Sequence, residues 1–286
     1  MGARRRLDTE LVRRGLSPSR ERAQADIAAG RVTVSGAPAT KPSRLVDIGE
    51  PVIVHGPPPK FVSRAGAKLE GAIDHFDLAS YFLNARVLDA GASTGGFTDC
   101  ALQHGAAEVV AVDVGHNQLH ERLAGDDRVR SLERTNLRTV DPGLLGEPVD
   151  IVVGDLSFIS LSLVLDTLQA AAQPGAMYVL LVKPQFEAGR TEVSKGKGII
   201  DKPQIWHRVL SEISAALLER KAAIMGVMVS PLTGSDGNVE FIVLGRFAGS
   251  ESSISGYCAL DANALSLSLA SVTGWNPADD AGPGGL

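Results

Sequence analysis

The chain has 286 residues, 44% hydrophobic and 21% charged, with a net charge of −5, a composition that suits one or two cored, soluble domains. Two distant cysteines, Cys100 and Cys258, and six scattered histidines exclude a disulfide framework and offer no metal-ligand spacing. No uncharged apolar run approaches the roughly 20 residues of a membrane helix, and the basic start "MGARRRLDTE" lacks the apolar stretch of a secretion signal, so the expected location is the cytoplasm.

The charge is unevenly spread. Residues 1–60 hold 11 Lys/Arg against 6 Asp/Glu, a net of +5 that leaves −10 for the remainder. A small basic segment on an acidic body points to a nucleic-acid-facing module, with Arg4, Arg6, Arg14, Arg20 and Arg22 as candidate contacts; an arginine-rich surface that only serves solubility is the alternative. Within this segment the pattern predicts a short helix over about 7–14, with Leu7 and Leu11 on one face. A second helix follows, with Ser17 as N-cap, Pro18 at its first position and Gly30 closing it. "RVTVSG" and "EPVIVHG" then read as two short strands. The "GPPPK" stretch at 56–60 is a stiff linker and a domain boundary.

Beyond the linker, Leu69, Ala72, Ile73 and Phe76 fall at i, i+3, i+4 and i+7, the spacing of an amphipathic helix. From residue 86 short apolar strands ("RVLDAG", "EVVAVD", "RVRSLE", "VDIVVGD", "MYVLLVK") alternate with helical segments near 96–104, 117–124 and 160–171, and a long helix follows at about 203–220. That alternation implies a parallel sheet covered by helices on both faces. The last two strands, "AAIMGVMVSP" and "NVEFIVLGRF", are separated only by "LTGSDG", too short for a parallel crossover, so the final strand is antiparallel. A mostly parallel sheet with its last strand reversed fits the class I methyltransferase fold better than a dinucleotide dehydrogenase. The residues beyond Ser250, rich in Ser, Ala and Gly, read as a partly helical or disordered tail.

Charged residues sit where such sheets bind ligands. "LDAGASTGGF" (88–97) ends a strand and enters a helix, and Gly91, Gly95 and Gly96 let the backbone turn and approach a ligand. The spacing is not that of a pyrophosphate loop, and Asp89 would repel a pyrophosphate while serving an ammonium such as that of S-adenosylmethionine. Asp113, 24 residues on, suits a bidentate contact to two ribose hydroxyls, a feature shared by nicotinamide and S-adenosylmethionine sites. "ERTN" (133–136) is placed to pass an adenine edge, or is an ordinary polar turn. Asp155 ends the fourth strand, Lys183 the fifth, and Glu240 opens the reversed strand at the same edge. Lys68, on the helix before the first strand, can reach across the mouth. Each alone reads most simply as a surface ion pair; their concentration at one edge suggests a catalytic cluster.

These stretches, "RLDTELVRRGLSPSRERA", "FVSRAGAKL", "DAGASTGGFTD", "AVDVG", "ERTN", "DLSFIS", "LVKPQFE" and "GNVEF", run in order over nearly the whole chain except the tail. The chain resembles the TlyA family of ribosomal RNA cytidine 2′-O-methyltransferases, with an FtsJ/RrmJ-type catalytic domain. The resemblance implies an S4-like α+β RNA-binding domain over 1–59, a linker at 60–66, a Rossmann-like α/β methyltransferase domain over 67–249 and a tail over 250–286. It also implies S-adenosylmethionine as cofactor, ribosomal RNA in subunits or the 70S ribosome as partner, and the Lys-Asp-Lys-Glu catalytic tetrad on Lys68, Asp155, Lys183 and Glu240. The cofactor set expected from it is Asp89, Gly91, Ser93, Thr94, Gly95, Gly96, Phe97, Asp113, Val114, Asn136 and Asp155. Arg64, Lys195 and Lys197 join the five N-terminal arginines as candidate RNA contacts, the two lysines on a long Gly-rich loop after Lys183 that is read as a mobile flap or an unstructured connection. The family's usual "DVGYGQL" is "DVGHNQL" here, placing His116 and Asn117 near the adenosine pocket.

A free lysine titrates near ~10.4, so Lys183 needs burial or a neighbouring cation to act as a base, while Asp155 and Glu240 push the other way. The expected role of Lys183 is therefore to hold the 2′-oxygen and stabilise its developing charge. Two readings compete with the enzyme. A non-catalytic RNA- or ribosome-binding factor would show a degraded loop or tetrad, and neither is seen. A membrane-lytic haemolysin would need a span or secretion signal.

Overall fold

In the N-terminal segment, apolar residues spaced four apart in one short helix meet apolar residues that alternate along short strands, and together they close a small core. The computed structural model describes residues 4–17, 19–56, 59–196, 198–249 and 253–275, and the chain divides into two units, Met1–Ser63 and Arg64–Leu286. The first unit contains β1 (Arg5–Arg6), α1 (Leu7–Arg13), α2 (Arg20–Ala28), β2 (Val32–Val34), β3 (Ala37–Pro38), β4 (Leu45–Val46) and β5 (Val52–Val54). Strand β2 pairs antiparallel with β3 and β5, and β1 with β4. Leu7, Leu11, Ala23, Ile27, Val32, Val34 and Val46 fill its core. The N-cap of α2 is Ser19, whose hydroxyl accepts from Arg22 N–H. The expected cap, Ser17, is buried instead.

Two carboxylates are buried in this small unit and organise its arginines. Asp8 accepts from Arg6, Arg20, Gln24 and the Thr9 N–H; Glu10 accepts from Arg13 and Arg14. Arg14 also donates to the carbonyls of Asp47, Ile48 and Glu50, so its guanidinium is a strut between α1 and the 47–50 turn. Of the five arginines expected on a nucleic-acid face, Arg14 is thereby used internally. Arg4, Arg6 and Arg20 stay substantially exposed while paired, and Arg22 pairs with Asp26.

The Arg6 guanidinium holds the Asp8 carboxyl well below its ordinary range, and Arg13 holds Glu10 down to about 2. Depressed carboxylates stabilise the fold above their unfolded values and lose that contribution as pH falls, so this unit weakens between roughly pH 4 and pH 2. Asp8→Ala removes the buried acceptor of Arg6, Arg20, Gln24 and the Thr9 N–H but leaves the arginines solvated, and we expect it to cost about 1–2 kcal/mol, read as a fall in the urea midpoint of this unit. A midpoint unchanged at pH 7 would show the network to be decorative.

The second unit begins with α3 (Ala65–Phe76) and α4 (Ala79–Phe82). It continues through β6 (Arg86–Ala90), α5 (Gly96–Gln103), β7 (Glu108–Val112), α6 (Glu121–Ala124), β8 (Val129–Leu132), β9 (Val149–Gly154), α7 (Leu165–Ala171) and β10 (Ala172–Val182). Two short helices, α8 (Pro184–Glu187) and α9 (Arg190–Lys195), precede α10 (Pro203–Glu219), β11 (Ala223–Val229) and β12 (Phe241–Arg246). The sheet order is β11-β12-β10-β9-β6-β7-β8. Strands β10, β9, β6, β7 and β8 run parallel, while β12 is antiparallel to both β10 and β11. This is the α/β arrangement expected from the short β11–β12 connection. Central strands buried on both faces explain the unbroken runs of Val, Leu and Ile. Tyr178, inside one such run, is tolerated because Gly245 lies opposite it and its hydroxyl donates to the Ala223 carbonyl.

Two expectations change and a third is met in part. The helix expected over 117–124 shrinks to α6, because Asn117 takes a left-handed φ of 53°. The segment after Lys183 is not an unstructured connection. It folds as α8 and α9 and is tied down by Asn238, which accepts from Ile200 N–H and donates to the Gly198 carbonyl. The residues beyond 250 form β13 (Ser253–Ile254), β14 (Tyr257–Cys258) and α11 (Ala262–Thr273). Leu265 and Leu269 of α11 are buried in the main core, and Leu260 N–H bonds to Ile224 of edge strand β11. The final stretch, 276–286, lies outside the described residues. Among the described residues, no helix is long and apolar enough to cross a membrane.

Candidate active site

The parallel strands end at one edge, and five of them deliver a charged residue there. Asp89 lies near the end of β6, and Asp113, Glu133, Asp155 and Lys183 directly follow β7, β8, β9 and β10. Glu240 joins them because β12 is reversed: Val182 pairs with Phe241, so the residue after one strand neighbours the residue before the other. Apart from Asp89, which lies one residue inside the ladder, each charge stands just beyond its strand, which then serves as a rigid support.

The loop "GASTGG" turns back tightly at this edge. Gly91 and Gly95 have φ of +83° and +92°; a Cβ on Gly91 would stand 3.0 Å from the Asp155 carbonyl, and one on Gly95 2.3 Å from Leu123 Cδ1. Asp113 accepts from the Ser93 and Gly115 N–H groups, fixing the loop against β7. Between them lies a narrow cleft lined by Ala92, Ser93, Asp113, Gln118, Leu119, Ser131 and Glu133. It adjoins a wider opening that shares Leu119, Ser131 and Glu133. Gly96 starts α5, Phe97 is buried in its first turn, and Thr94 accepts from His120 N–H through its carbonyl.

Of the eleven expected cofactor residues, Ser93 and Asp113 line this cleft and the other nine do not. Asn136 is exposed and its side chain caps the Arg138 N–H, and Val114 is largely exposed. The residue that β8 presents to the cavity is Glu133, held by His116 Nδ1 at 2.8 Å and by the Asn117 N–H. The departure at His116 and Asn117 is thus accommodated: Asn tolerates the left-handed conformation, and the imidazole anchors the Glu133 carboxylate. Glu133 obeys the same strand-end rule as Asp113 and Asp155, and that rule would have found it.

Asp89 is fully buried. One oxygen accepts from Thr98 Oγ1 at 2.6 Å, while Oδ1 has no hydrogen-bond partner. Burial, with the charges of Asp155 and Asp113, pushes its carboxyl up to about 7 against the opposing Thr98 bond. Asp89 pairs across the ladder with Ala111, which lines the cleft, so an unpartnered buried acceptor lies one strand from a second carboxylate. That arrangement suits a nucleoside carrying an ammonium group: one acid for the cation, one for the ribose diol. The donor set fits such a ligand.

The tetrad residues form two ion pairs. Lys183 Nζ lies 2.6 Å from Asp155 Oδ1 and donates to Ser157 Oγ at 2.7 Å. Lys68 Nζ donates to Glu240 Oε2 at 2.5 Å, with both side chains more than nine-tenths buried. Asp155 N–H bonds to the Ala90 carbonyl, so the Lys183–Asp155 pair directly borders the glycine loop. Ser157 escaped the sequence reading because only the folded loop brings it to Lys183. So did Phe158, which is 92% exposed at a φ of +64° and lies 5.0 Å, ring to ring, from Phe186. A large aromatic that is both exposed and held in a rare backbone conformation is a candidate for a functional role. Arg64 donates to the Thr233 carbonyl. Lys197 and the side chain of Lys195 lie outside the described residues.

A mostly parallel sheet with its last strand reversed, a carboxylate-lined cleft at its edge and two Lys–carboxylate pairs at the same strand ends fit a methyltransferase. Comparison with known proteins agrees. The FtsJ-like methyltransferase family matches residues 61–247 and the S4 domain matches residues 5–52. The 16S/23S rRNA (cytidine-2′-O)-methyltransferase TlyA of Mycobacterium tuberculosis is 46% identical over 85% of this chain and 90% of its own length. A Bacillus subtilis protein provisionally named an rRNA methyltransferase is 44% identical over 83% and 84%. A solved structure from Streptococcus thermophilus, provisionally named a hemolysin, is 35% identical, covers 96% of each chain and has a TM-score of 0.71. The chain belongs to the TlyA family of FtsJ-like methyltransferases.

Proposed function

We propose that this protein transfers a methyl group from S-adenosylmethionine to the 2′-oxygen of a cytidine ribose in ribosomal RNA, working in the cytoplasm on ribosomal subunits or the 70S particle. The observation that carries the reading is that all four tetrad residues pair at the strand-end edge, Lys68–Glu240 buried and Lys183–Asp155 nearly so. A non-catalytic binding factor has no use for two desolvated ion pairs at a ligand site, since such pairs contribute little to stability on their own. Unmodified 30S, 50S and 70S particles incubated with the protein and methyl-labelled S-adenosylmethionine should acquire label on a cytidine 2′-oxygen. Label on a base, or none on any particle, would refute the assignment.

S-adenosylmethionine, when bound, supplies a methyl group on a sulfonium, already a good leaving group. Asp89 would hold its ammonium and Asp113 its ribose hydroxyls, with Glu133 at the adenine end of the cavity. The work left to the protein is alignment and handling one proton. Lys183, oriented by Asp155 and Ser157, holds the 2′-oxygen and stabilises the negative charge that develops there as its proton passes to solvent water. Lys68, fixed by Glu240, orients the nucleotide from the α3 side. The exposed ring of Phe158 offers the base of an unstacked nucleotide a surface to stack on, the usual mode for single-stranded RNA. The S4 domain, through Arg4, Arg6, Arg20 and Arg22, together with Arg64, Lys195 and Lys197, contributes phosphate contacts that hold the RNA without reading its sequence.

Asp89 makes this reading pH-dependent. Its raised value means that the folded protein carries a proton there up to about pH 7. Seating an ammonium against Oδ1 favours the carboxylate, so Asp89 gives up that proton on binding. We expect nearly one proton released per cofactor bound at pH 6 and little at pH 8, measured by titration calorimetry in buffers of different ionisation enthalpy. Asp89→Asn should abolish the difference; equal release at both pH values in the native protein would remove Asp89 from the ammonium site.

A further inference from the structure

The parallel ladder between β9 and β10 stops at the pair Gly154 and Leu180. Beyond it, the two loops that carry Asp155 and Lys183 are joined only through side chains. Two of these ties, Lys183 to Asp155 and Lys183 to Ser157, lie at the reacting edge itself. A third is the ring contact between Phe158 and Phe186. Among the described residues, the remaining hydrogen-bonded tie is made by Glu187, the last residue of α8. Its carboxylate accepts from Ser160 Oγ at 2.5 Å and from Leu161 N–H at 2.7 Å.

We propose that Glu187 is a positioning residue: a clamp from the Lys183 loop onto the Asp155 loop that holds the two halves of the Lys183–Asp155 pair, and the Phe158 ring, in register for methyl transfer. The proposal rests on the 2′-O-methyltransferase reading above. The carboxylate is mostly buried, and burial raises its proton affinity. Among the described residues no Lys, Arg or His pairs with it, and Glu212 adds a like charge nearby. A group placed only to fill space would more cheaply be apolar. Both of its oxygens are instead committed to the other loop. Ser160 is itself the N-cap of the 3₁₀ turn Leu161–Leu163, so Glu187 grips the point at which the Asp155 loop becomes regular structure again. The lever is short: Pro184 starts α8 directly after Lys183, so one helical turn separates the clamp from the ammonium it steadies. Misplacing a reacting group by about 1 Å can cost on the order of a hundredfold in rate.

The test uses the full chain and the ribosomal particle that it methylates, with Glu187→Ala, Glu187→Gln and Ser160→Ala. We expect Glu187→Ala to slow single-turnover transfer about 30-fold, equivalent to about 2 kcal/mol of barrier, with affinities for S-adenosylmethionine and for the particle within about twofold of native. Glu187→Gln should recover to within about threefold, because its amide oxygen still accepts from Leu161 N–H; Ser160→Ala should fall between. Deuterium uptake over 156–162 should quicken in Glu187→Ala and not in Glu187→Gln. A native rate in Glu187→Ala overturns the clamp, as does a Gln variant as slow as the Ala variant. So does a rate loss that merely parallels lost cofactor binding and a lowered melting temperature. If the native protein methylates no particle, the functional reading fails instead, and deuterium uptake over 156–162 still decides the clamp.

Discussion

Lys183→Ala is expected to lower single-turnover methyl transfer by about a thousandfold, the scale seen when one preorganised donor to a developing oxyanion is removed, with S-adenosylmethionine and RNA still bound at near-native affinity. The expectation follows from placement. Lys183 Nζ is nearly buried, oriented by two partners, and sits beside the glycine loop that bounds the cofactor cavity. Lys183→Arg then separates the two roles open to this residue. An arginine keeps the positive charge and its donors but cannot deprotonate. If Lys183 holds the 2′-oxygen, the Arg variant retains measurable transfer, within about 50-fold of native allowing for its longer, planar head. If Lys183 must take the proton, the Arg variant is as slow as the Ala variant. Rates within tenfold of native in Lys183→Ala would remove the residue from the chemistry altogether.

The parts of this site that could be read from the chain are those set by strand ends. Lys183 after "YVLLV", Asp155 after "DIVVG" and Asp113 after "VVAV" each interrupt an apolar run, and a parallel sheet sends all such interruptions to one edge. Reversal of β12 is likewise written in the connection before it, which has no helix and is too short for a parallel crossover, and it brings Glu240 to the same place. What could not be read depends on which side chain the folded loops bring within 3 Å of which other. Ser157 and Glu187 are a serine and a glutamate in polar stretches, with no periodicity to mark them. The arginines of the first unit illustrate the converse: charge counting groups all of them as a basic face, yet Arg14 is turned inward by Glu10 and three carbonyls. Burial decides the role of a charge, and composition carries no burial. The shift of the α2 cap from Ser17 to Ser19 has a local reason, since either serine precedes a helix-compatible run and only the packing of Ser17 selects between them.

The Lys68–Glu240 pair separates stability from function more sharply than any other part of the site. Both side chains are desolvated and bonded to each other, so removing one strands an uncompensated charge in the interior. Lys68→Ala and Glu240→Ala should each destabilise the second unit by about 3–5 kcal/mol. The double variant Lys68→Met/Glu240→Leu removes both charges and fills the space with apolar atoms. It should return stability to within about 1 kcal/mol of native or above it, because a buried ion pair seldom outperforms a well-packed apolar pair. If Lys68 orients the nucleotide as proposed, transfer should nevertheless stay down by at least about a hundredfold in the double variant, since that ammonium is gone. Urea unfolding gives the stabilities and single-turnover transfer the rates. Recovery of both quantities together would make the pair a structural feature of α3 packing against β12, whereas recovery of stability alone is what a pair retained for catalysis must show.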